Sequence, residues 1–240
     1  MKSQTSRRAW AEWAGGVMVA LVLIGTVASC ATTQQVTVQR GGVPGFLGDT
    51  TNLLAPGDKD QASLRYISPA AQWTRYNKVL LEPVTFWGDD KTKIPAKDQQ
   101  MLCNFLHQQL YDQLGTKYEM VSEPGPGVMR LQVALVDAEA ATPVLRTISM
   151  VVPQARALST LKYLATGTYP FVGGAEAEAK MTDSETGNLL GEWVDKRVGG
   201  GSIKTAAQWE WGDAENVMKE WATMAATKLS SWTSGAVKPS

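Results

Sequence analysis

The stretch that decides the fold is "AEAEAKMTDSETGNLLGEWVDKRV", residues 175–198. Its first seven residues alternate strictly. Glu176, Glu178 and Lys180 face one way, and Ala175, Ala177, Ala179 and Met181 face the other. The small side chains on the second face predict a surface on which a helix packs closely. The charges on the first face, with Lys180 continuing the two glutamates, predict a solvated side. "TDSETGN", 182–188, reads as a hairpin turn in which Gly187 supplies a positive φ. "LLGEWVDKRV", 189–198, is the return strand.

Working outward, "VMRLQVALV", 128–136, is a second half-buried strand. Met129, Leu131, Val133 and Leu135 share one side, and Arg130 and Gln132 the other. "KVLLEPVTFW", 78–87, is a short apolar strand, and Pro83 inside it predicts an edge position or a bulge. Between these lies a helix of about twenty residues from Pro95 to Gly115, with a stripe of Leu102, Phe105, Leu106, Leu110 and Leu114. "KYEMVS", 117–122, is another short strand. Pro153 separates a strand-like stretch from a helical pattern over 153–166. The last helix opens at Asp213, read as its N-cap, and carries Ala214, Val217, Met218, Trp221, Ala225, Leu229 and Trp232 on one stripe. The summed order predicts an α+β fold: an antiparallel or mixed sheet with helices packed mainly on one face.

The N-terminal region gives an address. Lys2, Arg7 and Arg8 precede an apolar run, Val17–Val27, too short to span a bilayer at ~20 residues. "VASC", 27–30, resembles the bacterial lipobox, which makes Cys30 the expected lipidation site and mature N-terminus. Several acyl chains on one residue anchor far more firmly than one. The expected organisation is a signal peptide over 1–29, a flexible tether over 30–45, one α+β domain over 46–232 and a disordered tail over 233–240. With Cys30 acylated, Cys103 is the only other cysteine, so no intrachain disulfide forms. Cys103 falls on the apolar stripe of its helix, as a small buried hydrophobe.

The chemistry-bearing patterns are sparse. Lys+Arg and Asp+Glu number 23 each, and removal of residues 1–29 leaves the remainder near −2. Such a chain exerts no general pull on nucleic acid. His107 is the only histidine and lies four residues from Cys103, short of a zinc ligand set. Ser159 and Lys162 match S-x-x-K, but the partner motifs S-D-N and K-T-G are missing. "VGGGSIKT", 198–205, fails the phosphate-loop spacing because Ile203 separates Ser202 from Lys204. Glu176 and Glu178 could do acid–base work only if burial split their pKa values. Asp183 and Glu185 in the turn are too few for a dedicated Ca²⁺ site. No catalytic residue, metal ligand or cofactor is assigned. Arg156, Lys162, Trp209 and Trp211 are the candidate contact surface.

The succession "GFLGD" (45–49), "YISPAAQW" (66–73), "KVLLEPVTFW", "EPGPGVMRLQVALVDAEAA" (123–141), "VVPQARALS" (151–159), "TGTYPFVGGAEAEAKMTDSETGNLL" (166–190) and "VDKRVGG" (194–200) resembles a family of bacterial lipoproteins known only as a domain of unknown function. The resemblance covers about 46–232. It implies a Gram-negative envelope lipoprotein with one α+β domain, and it supplies no activity, cofactor or catalytic residue. For bacterial lipoproteins in general, Ala31 rather than an aspartate after the cysteine favours the outer membrane. The expected function is a non-enzymatic, outer-membrane-anchored binding or assembly module facing the periplasm. Its expected partners are the membrane, through lipid at Cys30, and an envelope protein, not nucleic acid. Two other readings stay open. One is an envelope hydrolase acting on peptidoglycan or lipid. The other is a small-ligand carrier, which requires a large apolar pocket between sheet and helices.

Overall fold

A computed structural model describes residues 33–39, 45–58, 60–88, 92–141, 172–199 and 210–239. Cys30, Arg156, Lys162, Trp209, the S-x-x-K serine and the helical pattern over 153–166 lie outside the described residues. The fold is α+β. Nine strands make one sheet: β1 (Thr33–Val36), β2 (Ala55–Pro56), β3 (Leu64–Ile67), β4 (Lys78–Leu81), β5 (Thr85–Phe86), β6 (Glu119–Met120), β7 (Val128–Glu139), β8 (Gly174–Asp183) and β9 (Leu189–Gly199). The spatial order is β2-β3-β9-β8-β7-β4-β6, with β1 also on β9 and β5 also on β7. Two long helices, α1 (Ala96–Gly115) and α2 (Gly212–Thr233), pack on each other and on one face.

The 175–198 hairpin forms the centre of the sheet. Ala177 pairs with Asp195, Ala179 with Trp193 and Met181 with Gly191 on β9, while Leu131, Val133 and Leu135 of β7 lie on the other side of β8. Gly187 turns the chain at φ +72°. Asp183 ties the turn: its Oδ1 accepts the Glu185 and Thr186 amides and the Thr186 hydroxyl, and its Oδ2 accepts the Tyr76 hydroxyl at 2.9 Å. A bulge between Leu135 and Asp137 keeps Ala138 opposite Ala175 on the helix side.

Several expectations need correction. The edge position or bulge expected at Pro83 takes the form of an interruption, with an interior strand before it and, among the described residues, a strand paired on one side after it. The strand breaks there into β4 and β5, both parallel to β7, and β4 is interior with β6 outside it. Glu82 still donates its amide to Leu131 at 3.0 Å, but proline cannot donate to the ladder, so the chain leaves the sheet at 83–84 and rejoins it at Thr85. These parallel pairs make the sheet mixed. Residues 33–36, inside the stretch expected to be tether, are a strand antiparallel to β9, with Thr33 opposite Gly199. Asp213 is not the N-cap of α2. The helix starts one residue earlier, and Asp213 sits fully buried in its first turn. There its Oδ2 accepts the Gly173 amide at 2.9 Å, fastening the open end of the hairpin. Gly199 leaves the room for this: a Cβ there would stand 2.3 Å from Asp213 Cγ. Trp211, expected as a contact surface, is 4 % exposed and belongs to the core.

The main core lies between the helices and this face of the sheet, and includes Leu102, Cys103, Leu106, Met129, Met218 and Trp232. Burial pushes the Cys103 thiol up to about 11, which keeps it protonated and unreactive. A second, smaller cluster covers part of the opposite face. Leu47 and Leu54, from the segment before β3, close over Leu64 and Val194.

Candidate binding site

The two faces of the β8–β9 hairpin carry different chemistry. On the helix face, Ala177 and Ala179 were expected to admit a close-packed helix. Both instead stay half-exposed and floor a cavity of about 360 Å³ together with Trp193. The opposite wall is α2, through Trp221, Met224 and Trp232, and α1 adds Leu106 and Leu110. Trp193 and Trp232 run nearly parallel, 17° apart at 6.4 Å. The volume falls in the lower part of the range of small-ligand pockets, roughly 300–1,000 Å³, and the walls are apolar as such pockets are. The mouth is different. Asp60, Arg65, Lys228 and Lys238 stand around it.

One end of the cavity is closed by a buried polar network centred on Asp195. Along β9 the sheet changes partner here, from β3 to β1, and Asp195 stands at the junction. Its Oδ1 accepts the Ser63 amide and hydroxyl, both at 2.9 Å, and the Gln35 side-chain amide at 3.0 Å. Its Oδ2 accepts Arg197 Nε at 2.7 Å and Trp221 Nε1 at 2.8 Å. Arg197 reaches on to Glu220, which also takes the Thr33 hydroxyl. Asp195 and Arg197 are 5 % and 6 % exposed. Every lone pair of Asp195 is engaged, so the group is structural rather than a free base. It joins β1, β3, β9 and α2 around the cavity.

The outer face corrects the solvated-side expectation. Glu178 and Glu192 are both fully buried, although they alternate with charged neighbours. Glu192 accepts the Thr50 hydroxyl and pairs with Lys180 at 3.3 Å. Glu176 pairs with Lys196 at 3.4 Å. Among the described residues Glu178 pairs with no cation, and neither of its oxygens completes a hydrogen bond, although the Leu47 amide approaches it. Burial pushes its carboxyl up to about 7, and the charges of Glu176 and Glu192 push the same way. These carboxylates lie on the side of the sheet away from the cavity. Among the described residues, no group of three His, Cys, Asp or Glu side chains could hold a metal ion. His107 stacks on Tyr111 at 6.4 Å.

The family model for a protein of unknown function, DUF3313, matches residues 44–225. The chain belongs to the DUF3313 family. The match begins beside the Leu47 segment and ends within α2, so it takes in the hairpin and most of the cavity. No curated protein matches the chain. Several solved structures are similar in outline. The PelC dodecamer from Paraburkholderia phytofirmans is 8% identical with a TM-score of 0.34, over 65% of this chain and 95% of that one. A DUF330 protein of Xanthomonas campestris is 9% identical with a TM-score of 0.37, over 71% and 94%. A DUF4136 family protein from Bacteroides thetaiotaomicron is 10% identical with a TM-score of 0.35, over 70% and 95%.

The sequence reading missed the network and the cavity. The signal for the first was present: Asp195 and Arg197 share a strand face with Trp193, and buried charges are almost always paired. The cavity had no comparable signal, since two alanines on a strand fit a close helix equally well.

Proposed function

We propose that this DUF3313 protein is a non-enzymatic binding module of the bacterial envelope, anchored in the outer membrane by lipid at Cys30 with its domain in the periplasm. It holds the apolar part of a small ligand between the sheet and α2, and an envelope protein is its partner in passing that ligand on. The observation that carries the reading is the cavity floored by Ala177, Ala179 and Trp193. It has what a carrier needs: a mainly apolar pocket between sheet and helices, with the engaged carboxylate of Asp195 at one end and the other charged side chains around the mouth. The arrangement of acids supports binding over hydrolysis. The carboxyls with raised pKa, Glu176 and Glu178, face away from the cavity, and of the two acids that line it Asp195 has its oxygens occupied and Asp60 stands exposed at the mouth.

The test fills the cavity from its floor. A solvatochromic naphthylamine dye should bind the wild-type domain and quench its tryptophans, because Trp193, Trp221 and Trp232 line the space. Ala177→Leu with Ala179→Leu should weaken dye binding at least tenfold while the unfolding midpoint holds or rises, since the added side chains occupy existing space. Unchanged dye affinity in the folded double variant rules the cavity out as the site. The anchor has its own check. Intact mass of the protein from membranes should show a chain beginning at an acylated Cys30, and Cys30→Ser should release it from the membrane fraction. An unmodified Cys30 would remove the anchor and leave the cavity reading intact.

A further inference from the structure

We infer that the ligand is an anionic amphiphile with a single medium-length hydrocarbon chain: the chain lies in the cavity and the charged head sits at the mouth among Arg65, Lys228 and Lys238. The inference rests on the cavity reading and gives its ligand a chemical class.

Three observations carry it. The first is size. A cavity of about 360 Å³ holds about a dozen water-sized groups, which matches a medium-length alkyl chain and is too small for two. The second is the distribution of polarity. The floor and walls are mainly Ala, Val, Met, Leu and Trp, and the oxygens of Asp195 at one end are already occupied, so a polar group deep in the cavity would be stranded there at a cost. The third is the rim. Three cations stand there, against the carboxylate of Asp60 and the nearby charge of Asp58 on Arg65. None of the three cations is in an ion pair among the described residues, whereas Lys78, Lys180, Lys196, Arg130 and Arg197 all are. Arg65 is half-buried, and burial lowers its pKa against the pull of Asp58. A guanidinium held partly out of water, with Asp58 near but in no direct ion pair among the described residues, favours an incoming anion.

The covalent arrangement agrees with a membrane source for such a ligand. Only Ala31 and Thr32 separate Cys30 from β1 in the sequence, at most about 10 Å of extended chain. Strand β1 is fixed to the network of Asp195, Arg197 and Glu220, and Asp195 and Trp221 of that network also line the cavity.

The experiment compares two probes with the same chain and opposite heads, dodecanoate and dodecyltrimethylammonium, each below its micellar concentration. Binding is read by tryptophan fluorescence and by calorimetry on the full chain. Dodecanoate should bind about tenfold more tightly, the preference expected of a few partly screened charges. Raising salt to 0.5 M should reduce that preference to less than threefold. Lys228→Glu with Lys238→Glu should abolish or invert it, with an unchanged unfolding midpoint, because both sites are on the surface. Equal binding of the two probes, or a preference that salt leaves intact, overturns the anionic class while the cavity reading stands. Binding of neither probe overturns both.

Discussion

Asp195→Ala should lower the unfolding free energy of the domain by about 3–5 kcal/mol, the cost usual for removing one partner of a buried ion pair. The reason is what the substitution strands. Arg197 keeps its charge at 6 % exposure and loses its 2.7 Å partner. Trp221 Nε1, the Ser63 amide and the Gln35 side chain lose their acceptor at the same time. Each buried donor left unmade costs about 1–3 kcal/mol, and the losses overlap because water can enter the vacated site. Asp195→Asn should cost less, since an acceptor oxygen remains while the charge is gone. Urea unfolding followed by tryptophan fluorescence measures all three proteins. A second substitution, Arg197→Met on the Asp195→Ala background, should recover part of the loss by removing a buried charge left with the half-exposed Glu220 as its partner. If Asp195→Ala costs less than about 1 kcal/mol, the network does not join the four elements as described.

The second large effect depends on pH. Glu178 has an ordinary carboxyl value of 4.5 in the unfolded chain and about 7 in the fold, because the fold removes it from water behind Leu47. Between those values the folded protein holds a proton that the unfolded chain has released. Stability therefore falls as pH rises from about 4.5 to about 7 and is level on either side. At 1.36 kcal/mol per unit the difference is about 3 kcal/mol. Glu178→Gln keeps the shape and cannot ionise, so the gap in stability between variant and wild type should widen by about 3 kcal/mol from pH 5 to pH 8. The comparison of slopes removes any constant effect of the buried amide. Parallel pH dependences for the two proteins would show that Glu178 ionises as freely in the fold as in water. Glu192 and Glu176 face the same side with lysine partners, at 3.3 and 3.4 Å, and burial raises the Glu176 carboxyl as well, against the pull of Lys196.

These two residues show what a sequence reading can and cannot reach. The alternation over 175–181 placed Glu178 correctly on the face opposite the alanines. It could not show that Leu47 and Leu54, more than 120 residues away in the chain, close over that face. Period-2 alternation tells which residues share a side, not what covers the side. The same limit explains Asp195, whose partners come from β1, the residue before β3 and α2. It also explains Trp211. A tryptophan between two loop-like stretches suits a surface or a core equally, and only its contacts with the helix layer assign it to the core.

The sequence by itself determined the α+β class, the hairpin with its Gly187 turn, the apolar faces of α1 and α2, and the burial of Cys103. Those properties are local. They follow from side-chain period, turn chemistry and helix punctuation within some twenty residues. Tertiary structure decided the mixed strand order, the strand made from Thr33–Val36, the burial of Glu178 and the cavity. Each of these depends on segments far apart in the chain meeting at a fixed separation. The cavity depends on it most: Ala177 and Ala179 would floor a tight interface if α2 lay closer, and Trp193 and Trp232 hold it far enough away to leave the space.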